Sequence, residues 1–341
     1  MARTGRQHAT LRTIAQLTGV DVSTVSRVLN GPPEAAQRAA SRERAEEIRR
    51  VAADLDYRAN PLAAGLRTRR SNLIGVLVPR LSDLVLATVY EGIEEAAAGH
   101  GMATFVMNSH DQPAEQRARV ELALSRRVDG LVIGDAHLDG TLIDEIAERQ
   151  IPYVLVSRRA GPHPAVTCDD YEGGRLVAEH FLDLGHKLVA VIAGEPYAST
   201  GVDRTAGFLD RYREAGVEVP ATRVVHSRFD AAGGREATER LLRHRTRPTA
   251  IFAVNDFAAI GALGALRDQG MSPGKDIAIA GFNDTPLAAE LPIPLTSVHS
   301  PMHEMGARAV ELLLRVLAGR PPESERLSPR LVVRASTGHR Q

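Results

Sequence analysis

The chain has 341 residues, enough for more than one domain, and its 42 basic and 42 acidic residues cancel to zero net charge. A single cysteine, Cys168, excludes an intrachain disulfide framework, and no apolar run approaches the length needed to span a membrane. The neutral total hides an asymmetry: residues 1–72 hold 13 Arg, no Lys and 7 Asp or Glu, a net of +6, while the remainder carries −6. A basic head on an acidic body fits a head that meets phosphate and a body that does not. The N-terminus lacks the apolar stretch of a secretion signal, so the expected location is the cytoplasm.

From Thr10 to Gly31 the pattern predicts two short helices joined by a tight turn. Thr10 can cap the first, and Leu11, Ile14 and Ala15 form its apolar stripe. Gly19 suits the turn, Asp21 caps the second helix, and Gly31 ends it. Val25, Val28 and Leu29 make the buried side, which leaves Val22, Ser23, Ser26 and Arg27 outside. That is a helix-turn-helix, and it points to DNA. Arginine grips guanine O6 and N7 with two hydrogen bonds and an aliphatic group packs on a thymine methyl, so Arg27 and Val22 are the expected base readers. The competing interpretation is a small helical pair within a core, with Arg27 merely solvated.

Ser41 opens a third helix running to about Leu55, with Ile48, Val51, Ala52 and Leu55 inward; it is structural. The Pro- and Ala-rich stretch from Gly31 to Ala40 reads as a loop. Asn60-Pro61 then starts a helix too short to stand alone, a plausible hinge. Leu66 has no local core to join and is flanked by Arg67, Arg69 and Arg70, the pattern of an apolar minor-groove wedge; a basic linker with a stray leucine is the alternative.

From residue 73 the rhythm becomes strand and helix in alternation. Expected strands are 73–78, 103–108, 130–133, 153–156, 188–192, 250–254 and 277–280. Such alternation argues an α/β body with parallel sheets, and a restart near residue 161 suggests two lobes. Ligands in such sheets bind off the carboxyl ends of strands. The polar residues there are Ser82, Asp83, Asn108, Asp135, Ser157, Thr200, Arg204, Asn255, Asp256, Asn283 and Asp284. Any one of these could be a helix cap; so many together favour a cleft for a polyhydroxylated or heterocyclic molecule. With no Trp and few aromatic residues, that pocket is not expected to be rich in stacking platforms. The chain contains no Gly-rich phosphate loop followed by Lys-Ser/Thr, no His-Glu-x-x-His and no Gly-x-Ser-x-Gly, so no catalytic residue, cofactor or metal is expected. A solute-binding protein of the periplasmic sugar-binding type would fit the body, but a helix-turn-helix stands where its secretion signal should be.

Specific segments carry a resemblance: Thr24-Val-Ser-Arg-Val-Leu-Asn-Gly31, Leu66-Arg67, Arg127-Val-Asp-Gly130, Leu184-Gly-His186, Arg204-Thr-Ala-Gly-Phe208, Arg247-Pro-Thr-Ala-Ile-Phe252, Asn255-Asp256, Gly281-Phe-Asn-Asp-Thr-Pro286 and Pro294-Leu-Thr-Ser297. From about Thr10 to Ser336 the chain resembles the lactose-repressor/galactose-repressor family of bacterial transcription regulators. The resemblance implies a homodimer on near-palindromic operator DNA. Each subunit would have a helix-turn-helix head over residues 1–58, a hinge helix over 59–72, and a two-lobed body like a periplasmic sugar-binding protein over 73–341. It further implies three crossings between lobes, with lobe 1 at about 73–160 and 292–325 and lobe 2 at about 161–291 and 326–341. An effector between the lobes, most simply a sugar or sugar derivative, would shift their angle and thereby the pairing of hinge helices over the minor groove. Carried over by position, Thr10, Val22, Ser23, Ser26, Arg27, Asn30, Leu66 and Arg67 would contact DNA. Ser82, Val85, Leu86, Ser157, Thr200, Arg204, Phe252, Asn255, Asp256 and Asn283 would serve the effector, with the Arg204 fork holding two adjacent hydroxyls or a carboxyl group at once. The chain departs from the family pattern in a longer 31–40 loop, in Ser82-Asp-Leu-Val-Leu86 where Ser-Asn-Pro-Phe-Phe is common, in Asn283 where Asp is common, and in Gly65 where serine is common. The residues after Ser336 carry no heptad pattern of the kind that drives tetramer formation.

Overall fold

A computed structural model describes residues 9–31, 33–57 and 70–338, and the chain separates into two compact units, residues 1–71 and residues 72–341. In the first unit α1 (Leu11–Thr18) begins with a capping box in which the Thr10 hydroxyl accepts the Thr13 N–H, and Gly19 ends it at φ 64°. α2 (Val22–Asn30) is capped by the Asp21 carboxylate on the Ser23 N–H, and Gly31 closes it in an extended rather than left-handed conformation. α3 (Pro33–Ala39) occupies the stretch expected to be a loop. Proline is tolerated in a first helical turn, alanine is the best helix former, and Glu34 and Arg38 sit at the ends the dipole favours. α4 (Arg42–Asp54) starts at Ser41, whose hydroxyl accepts the Arg44 N–H. Ile14, Val25, Val28, Ala45 and Ile48 close the small core beneath these helices.

The second unit runs from β1 (Leu73–Val78), β2 (Ala103–Asn108), β3 (Gly130–Ile133), β4 (Tyr153–Val156) and β5 (Ala165–Cys168) to β6 (Val189–Ile192), β7 (Val224–Val225), β8 (Ala250–Ala253), β9 (Ala278–Asn283) and β10 (Thr296–His299). It finishes with β11 (Glu325–Leu327) and β12 (Arg330–Val332). Two six-stranded sheets result, in the orders β11-β5-β4-β3-β1-β2 and β12-β10-β9-β8-β6-β7. Among the described residues every strand pair is parallel except β10 with β12. Buried on both faces, the central strands are continuous apolar runs, as parallel strands must be.

Sheet membership corrects the expected lobe limits. β5 lies in the first sheet, so the first crossing follows Cys168 rather than residue 160. β10 pairs in register with β9, Thr296 opposite Ala280, which keeps 296–299 in the second sheet. The chain therefore returns between His299 and Met302, not near 292, and crosses a third time between Leu327 and Arg330. β7, β11 and β12 have only two or three residues, and β5 (Ala-Val-Thr-Cys) and β10 (Thr-Ser-Val-His) mix polar with apolar residues, so none reads as an apolar run in the sequence.

The helices are α5 (Leu84–Gly99), α6 (Pro113–Ser125), α7 (Thr141–Glu148), α8 (Asp170–Asp183), α9 (Ser199–Glu214), α10 (Ala231–Leu242), α11 (Asp256–Asp268), α12 (Pro286–Glu290) and α13 (Met302–Leu317). Three helix pairs touch backbone to backbone through reciprocal glycines. A Cβ on Gly174 of α8 would lie 2.0 Å from the Arg204 carbonyl oxygen of α9, and one on Gly207 would lie 1.9 Å from that of Tyr171. Gly92 and Gly306 do the same for α5 and α13, and Gly234 and Gly261 for α10 and α11. The obstructing atoms are backbone, which cannot rotate away. Gly174→Ala is therefore expected to cost roughly 1–3 kcal/mol by overpacking, read as a lower urea midpoint. Unchanged stability would mean that the helices separate freely.

Candidate functional site

Between the two sheets of the second unit lies a cleft of about 290 Å³. It sits off the carboxyl ends of the strands, as the topology requires. Ser82, Val85, Leu86, Ser157, Thr200, Arg204, Asn255 and Asn283, all expected there, line it together. So do Asp83, Asp111, Arg158, Tyr197, Phe229 and Phe257. The three rings correct the expectation of a pocket poor in stacking platforms: the aromatic groups absent from the 82–86 turn are supplied elsewhere. Phe257 and Arg158 follow expected strand ends closely enough to have been found by the strand-end rule. Phe229 follows β7, a two-residue strand with no signal of its own.

His110, Asp111, Ser157 and Asn283 hold positive φ values of 57°, 56°, 66° and 102°, so four residues of the cleft wall keep a conformation that L-residues rarely adopt. Such strain clusters where geometry serves binding.

Most of the charge in the cleft is already matched by protein. The Arg204 Nε donates to Asp170 Oδ1 at 2.7 Å and Nη1 to the Val254 carbonyl at 2.7 Å, while its guanidinium lies 3.7 Å from the centre of the Phe282 ring. Burial pushes the Asp170 carboxyl up, to about 6, against the opposing pull of Arg204. This corrects the view of Arg204 as a free fork, since mainly Nη2 remains for a ligand. Arg158, also buried, donates from both terminal nitrogens to Asp111 at 2.6 and 3.1 Å. Burial works to raise the Asp111 carboxyl, but nearby His137 and the Arg158 charge more than offset it and hold it at about 2. Asn255 caps α11 through Oδ1, which accepts the Ala258 N–H, and donates from Nδ2 to the Phe229 carbonyl. Asp83 caps α5 by accepting the Val85 N–H, and burial raises its carboxyl. The hydroxyls of Ser82, Ser157 and Thr200 and the Asn283 Nδ2 have no hydrogen-bond partner among the described residues and are left for a ligand.

Two expected cleft residues do not line it. Phe252 lies mid-strand in β8, fully buried and stacked on Phe208 at 5.2 Å, so its side chain belongs to the core. Asp256 is buried behind the wall, where its carboxylate accepts from Thr285 N at 2.7 Å, Thr285 Oγ1 at 2.9 Å and Ser297 Oγ at 2.5 Å. It ties the 285 turn to α11. The other strand-end residues are likewise scaffolding. Asn108 accepts the Leu81 N–H, Asp135 is buried under Ser109, and Asp284 pairs with Arg334 at 2.7 Å. Burial raises the Asp256 carboxyl to about 6, so the folded state keeps a proton that the unfolded chain releases near 3.8. Its contribution to stability is full below 3.8 and is lost as pH rises through 6. A melting series from pH 4 to 7 should therefore show a decline for the parent that is shallower in Asp256→Asn; equal slopes would refute this.

In the first unit α2 presents one polar face. Val22 is 39% exposed, Ser23 and Arg27 are exposed beside it, and Ser26 and Asn30 are half-buried at its edge. Arg27 makes no hydrogen bond or ion pair among the described residues, so its fork is available. Thr10 is exposed, but its hydroxyl is engaged in the α1 capping box. Leu66 and Arg67 lie outside the described residues.

The family profile for bacterial regulatory proteins of the lacI family matches residues 10–60, and that of a periplasmic binding protein-like domain matches residues 178–337. The HTH-type transcriptional regulator DegA of Bacillus subtilis is 32% identical over 335 residues, covering 96% of this chain and 98% of its own. The repressor PurR of Photobacterium profundum is 28% identical with the same coverage. A crystal structure of the lac repressor dimer bound to operator and an anti-inducer superposes with a TM-score of 0.89 at 26% identity, covering 98% of this chain and all of that one. A complex of the regulator CelR with cellobiose gives a TM-score of 0.73 at 28% identity, with 96% and 99% coverage. With its helix-turn-helix, its two-sheet body and a relative of this identity along nearly its whole length, the chain belongs to the LacI family of DNA-binding transcriptional regulators, with an effector-binding domain.

Proposed function

We propose that this regulator is a repressor that binds a near-palindromic operator as a homodimer and responds to a neutral, polyhydroxylated molecule of about monosaccharide size. One observation carries the ligand class: the Arg204 and Arg158 charges are answered inside the protein by Asp170 and Asp111. A charged ligand would have to break those pairs or leave a charge buried without a partner, which costs several kcal/mol. What remains is mainly hydroxyl and amide, with Arg80 and Glu195 adding one charge of each sign that no ion pair among the described residues engages, and the rings of Phe229 and Phe257 suit the apolar face of a sugar. The volume lies at the lower end of ligand sites, which span roughly 300–1,000 Å³. Asn283 Nδ2 is free to donate to a hydroxyl, while its Oδ1 already accepts from Arg204 Nη1 at 3.5 Å. A relative's complex with cellobiose and another's with an anti-inducer are consistent with this class.

The ligand reading is tested by calorimetry of the purified chain against neutral monosaccharides and their uronate and phosphate counterparts. Binding confined to the neutral members, weakened at least tenfold by Asn283→Ala, is the expected result; selective binding of the acidic members would overturn it. Asn283 is the better probe than Arg204, whose loss leaves Asp170 buried and unanswered, a destabilisation of about 3–5 kcal/mol.

The DNA reading rests on the exposed Val22, Ser23 and Arg27 face. After selection of a binding site from randomised duplexes, Arg27→Ala should weaken that site by about 1–3 kcal/mol and relax the preference at one base pair per half-site. An unchanged preference would remove Arg27 as a base reader. A selected site without two-fold symmetry would remove the dimer.

A further inference from the structure

Nothing in the crossings alone holds the two sheets of the body at one spacing. All three leave the first sheet from its β5 and β11 edge, or from α13 beside it, and reach the second at its β12 and β10 edge or at α8. On the second sheet β6 lies away from that edge, separated from β10 by β9 and β8. Yet the tail of β4 and the start of the helix after β6 are joined directly. Arg159 Nε donates to Asp203 Oδ2 at 2.8 Å and Nη2 to Oδ1 at 2.6 Å, the fork matched to both oxygens. The Arg159 N–H donates to the Ser199 hydroxyl at 2.9 Å. Beside them the Leu138 N–H donates to the Tyr197 carbonyl at 2.9 Å, and the His137 ring stacks on that of Tyr197 at 4.3 Å.

These contacts stand back to back with the cleft. Ser157 faces the cleft and Arg159 the joint, from the same three residues; on α9, Thr200 faces the cleft and Asp203 the joint. We propose that Arg159 and Asp203 form a latch that holds the two lobes at their closed spacing without ligand, and so limit the size of molecule the cleft admits. The bidentate geometry makes the latch directional as well as attractive. The Arg159 side chain is 41% exposed and that of Asp203 22%, so the pair is reachable by water and salt and can open, unlike the buried Arg204–Asp170 pair. Neither residue lines the cleft. A ligand too long to fit beneath the closed joint must part this ion pair to bind, whereas one that fits leaves it intact.

The test measures lobe spacing in the full chain and uses neither DNA nor effector, so it fails or succeeds independently of the proposed function. Glu148→Cys and Glu218→Cys place spin labels on exposed positions of the two lobes, while Cys168 is buried. Double electron–electron resonance on this parent, mixed with excess unlabelled chain so that distances between subunits are diluted out, should give one narrow distance distribution. Asp203→Asn, which keeps the shape and removes the charge, should add a second, displaced population, as should raising the salt. The exchanged pair Arg159→Asp with Asp203→Arg should restore a single population. A distribution unmoved by Asp203→Asn, at unchanged circular dichroism, would overturn the latch. An exchanged pair as open as the single variant would overturn it as a pairwise device.

Discussion

A buried guanidinium must be answered from within the protein, and the second lobe is arranged around that requirement. Arg204 comes from α9, its carboxylate partner Asp170 from the first turn of α8, and its carbonyl partner from the end of β8. Phe282 of β9 supplies the ring beneath it. Four elements therefore converge on one side chain. They converge only because α8 and α9 pack at backbone distance, which Gly174 and Gly207 allow. Placing any larger residue there would move Asp170 relative to Arg204, and the desolvated charge would lose its answer.

The same device appears on the other wall, where Arg158 and Asp111 neutralise each other within the first lobe. Each lobe thus settles its own buried charge before the two meet. The cleft between them is polar mainly through hydroxyls and amides, and its rings come from two loops, at Tyr197 and Phe229, and from the first turn of α11 at Phe257. Ions exposed at the joint, Arg159 and Asp203, act between lobes instead of within one. Buried pairs hold each wall rigid, and a partly solvated pair lies at the place where the walls have to move. That division follows from desolvation: a pair that opens must be able to recover its hydration cheaply.

Much of this was legible in the sequence where local chemistry decides the outcome. The helix-turn-helix could be read because caps, a turn glycine and a 3.6-residue stripe are all local. The long central strands could be read because a run such as 73–78 is apolar throughout. Ser82, Asp83, Ser157, Thr200, Arg204, Asn255 and Asn283 could be read because strand ends collect ligands in any parallel sheet, whereas Val85 and Leu86 followed only from the resemblance. Misreadings came where a local signal was ambiguous. The 31–40 stretch reads as a loop on its glycine and prolines, although its alanines favour helix and proline is tolerated in a first helical turn. Position in a motif points Phe252 to the cleft and the strand-end rule points Asp256 there, yet β8 turns Phe252 into the core and Asn255, not Asp256, takes the cap.

Composition, period and motif therefore determined the head, the α/β body, the family and the general location of the ligand cleft, since each depends on residues close together in the chain. Tertiary structure alone decided which arginine nitrogens remain free, since Asp111 is 47 residues from Arg158 and Asp170 is 34 from Arg204. It alone decided that glycines unfavourable to an isolated helix are the contact points of helix pairs. It also placed β10 in the second sheet and brought Arg159 to Asp203, 44 positions away. Hydrogen bonds and close packing are short-ranged in space, and nothing in the order of residues along a chain reports distance between elements that only folding brings together.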